Sequence, residues 1–262
     1  MENNKKSSLG VPIAIIIAGL LIAGAVFYRG STPAPGDQTP PVGSSDKAYQ
    51  LDEIAPITAS DNVRGNPNAS IVFFDYSDLE CPFCKMFHWS MEALMEEYGD
   101  RVAWVYRHYP LDCNGGETPG CRVLHTKARQ EAEASECVAE LGGESTFWTY
   151  IDKIFDATPS NDGLDLEQLP VYAGELGIEE ADFNQCLTDR RHAQKVIDNT
   201  TNGTAIGLDG TPFVILSAPN DILTVALRGP APAEADDLTK EVIEFLDAAQ
   251  QESYLRLTGG NN

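Results

Sequence analysis

The spacing of apolar positions changes twice in the first folded part of the chain. Residues 70–76 (SIVFFDY) form a short β-branched and aromatic run, which predicts a buried strand. From residue 81 to residue 98 the apolar positions recur at helical spacing, and Gly99 is a typical helix stop. Residues 102–109 (VAWVYRHY), followed by Pro110, predict a second strand. Strand, helix and strand in this order predict a βαβ unit with parallel strands.

The pattern then becomes helical after a loop that is rich in glycine and proline. Strand patterns return at 213–216 and 223–227 around turn residues at 219–221, which predicts a hairpin, and a last amphipathic helix begins near Glu234. This order predicts an α/β fold of the type βαβ … ββα, with a helical insertion at about residues 122–202. The helices predicted within the insertion are 123–141, 145–156, 164–176, 180–187 and 190–200.

The N-terminal part has a different pattern. Residues 11–28 (VPIAIIIAGLLIAGAVFY) carry no charge, and about 20 apolar residues span a bilayer as a helix. They predict a transmembrane signal-anchor, and the two lysines before it predict that residues 1–10 are cytoplasmic. A cleaved signal peptide is the alternative, because Ala-Gly-Ala at 23–25 resembles a cleavage site. Either way, the folded part is expected outside the cytoplasm, in the first case held at the cell membrane.

Composition completes the predicted domain organisation. Residues 29–49 are rich in proline, glycine and serine and predict a disordered linker. A folded domain is expected at 50–252 and a flexible tail at 253–262. The formal net charge of -22 excludes nucleic-acid binding, because phosphate contacts need clustered lysine and arginine.

The start of the first predicted helix carries Cys81-Pro82-Phe83-Cys84. Zinc is disfavoured, since a structural site takes four ligands and this chain has one CxxC and no HxxxH pair. A purely structural disulfide is also disfavoured, because a bridge from i to i+3 closes almost no loop. No metal and no cofactor are therefore expected.

A redox role explains both the residues and their position. A thiol at a helix N-terminus lies beside unpaired N–H groups and the positive end of the helix dipole, which stabilises the thiolate. Cys81 is therefore the predicted nucleophile, and Cys84, one turn further on, is the predicted resolving cysteine. Pro212 begins the strand after the helical insertion, where a proline suits a special turn that can contain a cis bond. An ordinary turn proline is the alternative, and the residues alone favour it.

The chain resembles the DsbA-like thiol-disulfide oxidoreductases of the thioredoxin superfamily, in their membrane-anchored bacterial form. The resemblance covers about residues 50–250 and implies a thioredoxin-like fold. It implies that Pro212 is a cis-proline opposite the dithiol and that Thr211 contacts the backbone of a bound polypeptide. The residues that carry it are 73–84 (FFDYSDLECPFC), Phe147-Trp148 and Gly210-Thr211-Pro212.

Acidic residues precede the dithiol. Asp75 is in phase with Ile71 and Phe73, which predicts burial, and the resemblance implies that it accepts the proton of Cys84. A solvent-facing aspartate at the strand end is the alternative. Asp78 and Glu80 are expected to be exposed acids that weakly oppose thiolate formation.

Two departures from the family pattern leave the direction of electron flow open. Strongly oxidising members have histidine at the position of Phe83. The phenylalanine here therefore removes one hydrogen-bond donor to the Cys81 thiolate. Threonine before the proline, here Thr211, also occurs in isomerase and reductase relatives.

The other four cysteines permit structural disulfides. Six cysteines allow 15 pairings, and an exported domain lies where disulfides persist. Cys113 and Cys121 bracket a turn-rich loop and are expected to pair. Cys137 and Cys186 lie on different predicted helices and are expected to pair as well, with free buried thiols as the alternative.

The expected function is extracytoplasmic formation or exchange of disulfides in exported proteins. The expected partners are reduced or unfolded exported polypeptides and, by resemblance, a membrane redox partner of the quinone-reductase type. A reductase or isomerase fed by a membrane electron donor is one alternative. A membrane-tethered binding module or chaperone with an incidental CxxC is another.

Overall fold

The centre of the fold is a mixed five-stranded sheet in the order β1-β3-β2-β4-β5. The computed structural model describes residues 54–69, 71–113, 123–217 and 224–228. Strands β2 and β3 are parallel, whereas the other neighbouring pairs are antiparallel. The βαβ unit and the hairpin predicted from the sequence are thereby confirmed. The strands are β1 (Asn62–Gly65), β2 (Ile71–Ser77), β3 (Val102–His108), β4 (Phe213–Ser217) and β5 (Thr224–Arg228).

Both faces of the sheet are covered, which explains why β2 and β3 are nearly continuous apolar runs. On one face Phe73 and Trp104 belong to a core that includes the helix after β2 and much of the insertion. On the other face Phe74, Val105 and Ile215 pack with residues near the end of the insertion. The end of β2 that leads to Cys81 is therefore surrounded by packed side chains.

Helix α1 (Pro82–Tyr98) begins directly after the turn that follows β2. Its buried side chains include Phe87, Met91 and Leu94, at the spacing that the sequence predicts. The helix ends at Gly99, whose φ of 43° is in the left-handed region, and the Gly99 N–H donates to the Met95 carbonyl. A short 3-10 turn, Gly99–Arg101, leads into β3.

The insertion between β3 and β4 is helical, as predicted. Its first helix begins later than expected, because the N–H groups of Leu124 and His125 both donate to the Leu111 carbonyl instead of entering a helix. Helices α2 and α5 are joined by the Cys137–Cys186 disulfide, the expected pair. The helices are α2 (Ala128–Gly142), α3 (Glu144–Ala157), α4 (Gln168–Glu175), α5 (Glu180–Thr188) and α6 (Ala193–Ala205).

Strand β1 is not predicted by the sequence pattern, because NVRG is short and polar. Contacts with the insertion hold it in place. The Asn62 amide donates to Glu136 at 2.8 Å, and the Val63 N–H donates to Glu144 at 2.6 Å. Arg64 donates to both oxygens of Asp152 at 2.7 Å.

Several predicted segments lie outside the described residues: the anchor at 11–28, the linker at 29–49, the helix from Glu234 and the tail at 253–262. Within the part of the chain that the structure describes, no helix has the length and apolar character needed to cross a membrane.

Arg107 joins the segment before β1 to the second face of the sheet. Its side chain is buried, and it donates to Asp61 at 3.0 Å, to the Tyr76 hydroxyl at 3.0 Å and to the Ala55 carbonyl at 2.8 Å. Its guanidinium also lies 4.9 Å from the centre of the Phe74 ring. A buried cation needs such partners, since desolvation is otherwise costly.

Replacing Arg107 by methionine should destabilise the fold by about 3 kcal/mol, because it leaves the Asp61 carboxylate buried without its cation. Urea unfolding at pH 7 measures this change. The control is Arg101→Met, at an exposed position, which should change the free energy of unfolding by less than about 0.5 kcal/mol. Equal effects of the two substitutions would contradict a structural role for Arg107.

Candidate active site

Cys81 and Cys84 are free thiols at the start of α1. Cys81 is the residue before the helix, with extended backbone angles, and Pro82 occupies the first helical position, where its missing N–H is tolerated. Cys84 lies one turn inside and is fully buried, whereas 3% of Cys81 is exposed. The two sulfurs thus have different environments although they are close together.

Those environments move the two pKa values apart. A hydrogen bond from Cys84 lowers the pKa of Cys81 to about 6; burial opposes this shift, the backbone N–H of Cys84 adds to it, and the Asp78 charge opposes it. Burial raises the pKa of Cys84 well above its usual value, and the bond and charge of Cys81 raise it further. At neutral pH Cys81 is therefore the thiolate and Cys84 the thiol.

The Thr211–Pro212 peptide bond is cis and lies beside the dithiol. Phe213 of β4 pairs with Tyr76 near the end of β2, and this register brings residue 211 to the start of α1. The Cys81 sulfur is 3.5 Å from the Thr211 carbonyl oxygen. The sheet register thus brings together residues that are far apart in the sequence.

Asp78 is buried at 2% exposure, so the expectation that it is an exposed acid is wrong. Its backbone N–H donates to the Cys84 sulfur at 3.4 Å, and its carbonyl accepts from the Cys81 N–H at 3.1 Å. Its carboxylate accepts from the N–H of Leu111 at 2.7 Å and from the His125 ring at 2.9 Å. These donors stabilise a charge that would otherwise be costly in the interior.

Glu80 is also buried, at 0% exposure, and the same expectation is wrong for it. Its carboxylate accepts from the N–H groups of Gly163 at 3.1 Å and Leu164 at 3.3 Å, and its carbonyl accepts from the Asn161 N–H at 2.7 Å. Residues 160–162 all have positive φ, between 54° and 64°, an unfavourable conformation for non-glycine residues. The contacts with Glu80 therefore compensate for a strained loop next to Cys81.

Glu131 of α2 lies beside Glu80 and is fully buried. Burial, together with the charge of Glu80, raises the pKa of Glu131 to about 10. Glu131 is therefore protonated at neutral pH, and its carboxyl oxygens have no hydrogen-bond partner among the described residues. This proton removes one negative charge from the surroundings of the dithiol.

Asp75 is 1% exposed, which confirms its predicted burial and makes the solvent-facing alternative wrong. Its Oδ2 accepts from the indole N–H of Trp104 at 3.2 Å, and its Oδ1 has no hydrogen-bond partner among the described residues. Burial raises the pKa of Asp75 to about 8; the Trp104 bond opposes this shift and the Cys81 charge adds to it. The carboxyl group is thus poised to exchange a proton near neutral pH.

Three large apolar side chains are exposed on α1 beside the dithiol. Phe83 is 45% exposed, Met86 38% and Trp89 45%. The Trp89 indole donates to Asp156 at 3.1 Å, and the ammonium of Lys85 lies 5.1 Å from its ring centre. These contacts hold the Trp89 side chain in place at the surface.

The structure describes three of the remaining four cysteines. Cys137 and Cys186 are bonded to each other, so the alternative of free thiols is wrong. Cys113 is disulfide-bonded, and its expected partner Cys121 lies outside the described residues.

One group of possible metal ligands in the described part of the chain consists of His88, Glu92 and Asp152, whose ligand atoms lie within 4.8 Å of one another. Arg64 already donates to Asp152 at 2.7 Å and lies 3.8 Å from Glu92. Its guanidinium therefore supplies the positive charge of this cluster.

Sequence reasoning missed the buried partners Asp78, Glu80, Glu131 and His125. All four are polar residues in loops or on a helix whose pattern does not distinguish burial from exposure. Their partners are remote in the sequence, as for Glu80 and Leu164. The only sequence feature that could have indicated their burial was the cluster of acidic residues immediately before Cys81.

Comparison with known proteins agrees with this fold. A family described as thioredoxin matches residues 58–219, more than half of the chain. The chain therefore belongs to this thioredoxin family.

Solved structures similar to this fold include two from bacteria. Pseudomonas aeruginosa DsbA2 is 24% identical with a TM-score of 0.55, over 72% of this chain and 97% of that chain. Wolbachia pipientis alpha-DsbA1 is 20% identical with a TM-score of 0.60, over 77% of this chain and 98% of that chain. These similarities show the fold.

Curated relatives include much longer proteins. The Na(+)/H(+) antiporter NhaA 1 of Mycolicibacterium vanbaalenii is 30% identical over 60% of this chain and 23% of its own length. The NhaA 1 of Mycobacterium sp. strain KMS is 27% identical over 79% of this chain and 30% of its own length. The chain thus spans less than a third of the length of these relatives, and the name antiporter applies to those longer proteins.

Alkylation of the mildly reduced protein should modify Cys81 fast and Cys84 slowly, because only Cys81 is a thiolate near neutral pH. The rate at Cys81 should rise with pH around a midpoint near pH 6, the pKa given above. Mass spectrometry of quenched samples between pH 4 and 9 measures both rates. Equal rates for the two cysteines would refute the assignment.

Replacing Glu131 by glutamine should stabilise the protein at pH 8 by about 1–3 kcal/mol. An acid whose folded-state pKa is raised binds its proton more tightly in the folded state, so the wild type loses stability as pH rises from about 4.5 towards 10. Chemical unfolding at pH 4 and pH 8 should show a gain for Glu131→Gln at pH 8 alone. Glu96→Gln, at an exposed position, is the control and should show no such difference.

Proposed function

We propose that the protein is an extracytoplasmic thiol-disulfide oxidoreductase that forms or exchanges disulfides in exported polypeptides. The observation that carries this proposal is the asymmetric dithiol at the start of α1. Cys81 has a lowered pKa and lies beside Thr211, whereas Cys84 is buried with a raised pKa. A low pKa makes Cys81 a good leaving group, which is what disulfide transfer to a substrate requires.

The reaction begins with the disulfide form of Cys81 and Cys84. A substrate thiolate attacks the Cys81 sulfur, a mixed disulfide forms, and Cys84 leaves with the bonding electron pair and takes up a proton. A second substrate thiolate then attacks the substrate sulfur of the mixed disulfide, and Cys81 leaves as a thiolate. The substrate loses two electrons and gains a disulfide, while the dithiol of the protein is reduced.

Asp75 is the proton acceptor for Cys84 in this proposal. When the dithiol is reoxidised, Cys84 must lose a proton in an interior that disfavours its thiolate. Asp75 is buried, and its Oδ1 has no hydrogen-bond partner among the described residues. Its pKa is raised by burial to about 8, so its ionised form can accept that proton and release it later. Trp104, its hydrogen-bond donor, limits the shift.

Unfolded, reduced polypeptides are the proposed substrates. The backbone of Thr211 lies beside the reactive sulfur and is proposed to pair with an extended substrate segment. The exposed side chains of Phe83, Met86 and Trp89 offer apolar contact area to the residues that flank a substrate cysteine. Exposed apolar surface of this kind is typical of interaction sites.

An oxidising compartment is the proposed location, with residues 11–28 as a membrane anchor. The Cys137–Cys186 disulfide and the bonded state of Cys113 support this location, because structural disulfides persist outside the cytoplasm. Reoxidation of the dithiol is assigned to a membrane partner of the quinone-reductase type. If the N-terminal segment were instead a cleaved signal peptide, the folded part would lie in the same compartment but would not be anchored to the membrane.

A reductase or isomerase is the second candidate. It is favoured by the Pro82-Phe83 dipeptide, whose side chains supply no donor to the thiolate, and a less stabilised thiolate makes a weaker oxidant. The two candidates use the same residues and differ in the redox potential.

Equilibration with glutathione buffers should give a potential less negative than the roughly −270 mV of thioredoxin if the protein is an oxidant. The disulfide form should oxidise a reduced unfolded substrate, and Cys81→Ser should abolish this activity. The double variant Cys137→Ala/Cys186→Ala is the control, since it removes a disulfide that is remote from the dithiol.

A redox potential at or below that of thioredoxin would rule out the oxidase and support the reductase as the function of this protein. Full activity of the Cys81→Ser variant would refute both the oxidase and the reductase. The remaining alternative would be a binding module with an incidental CxxC motif.

A further inference from the structure

His125 lies just before α2 and is joined to the dithiol through Asp78. It is 5% exposed, and its Nδ1 is 2.9 Å from the Asp78 Oδ2. The same Asp78 donates its backbone N–H to the Cys84 sulfur and accepts from the Cys81 N–H. One residue thus contacts both the imidazole and the residues of the dithiol.

The position of His125 is well fixed. Its backbone N–H donates to the Leu111 carbonyl at 3.2 Å, and the Leu111 N–H donates to the same Asp78 oxygen at 2.7 Å. The bond to Asp78 occupies Nδ1. The imidazole therefore cannot turn away from the dithiol without breaking the Asp78 contact.

The charges around His125 favour the imidazolium. Burial lowers the pKa of His125, but the hydrogen bond and charge of Asp78 outweigh burial, and the charges of Cys81 and Asp162 add to the net rise. Asp162 lies in the strained loop that Glu80 holds, and the neighbouring Glu131 is protonated. The charge of the Cys81 thiolate thus contributes to the raised pKa of His125. By the same interaction, the imidazolium of His125 favours the thiolate form of Cys81.

We propose that the Asp78–His125 pair is a further functional part of the exchange site, in which the imidazolium of His125 stabilises the Cys81 thiolate as it leaves the mixed disulfide. This proposal rests on the proposed function, because the thiolate leaves in disulfide transfer. No new bond forms or breaks at His125. The imidazolium offsets the Asp78 charge, which would otherwise oppose the thiolate at close range. It supplies from the insertion a positive charge that the Pro82-Phe83 dipeptide lacks.

Replacing His125 by glutamine should raise the pKa of Cys81, so that the thiolate fraction at pH 6 falls about three- to tenfold. Glutamine keeps a donor for Asp78 but cannot carry the charge. The far-ultraviolet absorbance of the thiolate, followed by pH titration of the reduced protein, measures the change. His125→Lys keeps a positive charge and should recover most of the thiolate.

The matched control is His192→Gln. His192 is also paired with a carboxylate, at 2.7 Å from Glu140, but it is not in contact with the dithiol. This variant should leave the Cys81 titration unchanged. An unchanged Cys81 pKa in His125→Gln, or no recovery in a folded His125→Lys, would overturn the proposal.

The wild-type protein provides a test that does not depend on a variant folding. The His125 ring, followed by NMR, should titrate at higher pH in the reduced protein than in the disulfide form, because only the reduced form carries the thiolate. Reduction should then take up one additional proton at pH values between the two His125 pKa values. Identical His125 titrations in the two forms would overturn the proposal.

The outcomes for the two proposals are distinguishable. A wild-type protein without disulfide transfer to reduced substrates would refute the proposed function, although the coupling between His125 and Cys81 would still be measurable. A fully active wild type whose Cys81 titration ignores His125 would leave the function standing and refute the role of the pair.

Discussion

The carboxylate of Asp78 is buried beside two sulfurs, and the rest of the site is arranged around that charge. Its oxygens accept hydrogen bonds from Glu80, Leu111 and His125. Its backbone contacts both cysteines. These bonds tie the turn before α1 to the segment after β3 and to the start of the insertion. Without them a negative charge would remain in the interior next to a group that must itself become negative.

The same requirement explains the other acids near Cys81. Glu80 is stabilised by the backbone N–H groups of Gly163 and Leu164, whereas Asp75 accepts from the Trp104 indole N–H and has a raised pKa. Four carboxyl groups thus lie near the thiolate, but two of them favour the protonated form. Residues far along the chain set this proton distribution, and the thiolate depends on it as much as on its place at a helix start.

Strands β2 to β5 and helix α1 were predictable because apolar periodicity is a local signal. The CPFC motif was informative for a similar reason, since its position at the end of β2 and the start of α1 follows from the neighbouring pattern. Strand β1 was not predictable, because Asn62 and Arg64 form it through contacts with the insertion. The burial of Asp78 and Glu80 was likewise hidden, since hydrogen-bond partners at His125 and Leu164 cannot be inferred from spacing.

The strained loop at residues 160–162 and the residue His125 both belong to the insertion, and both contact the turn that precedes Cys81. Reactivity is therefore a property of the completed fold and is not carried by the CPFC segment alone. Until the insertion docks on the sheet, Asp78 lacks the His125 imidazole, and Glu80 lacks the N–H groups of Gly163 and Leu164. The charge balance around Cys81 is therefore complete only when residues far along the chain have packed against the turn before it.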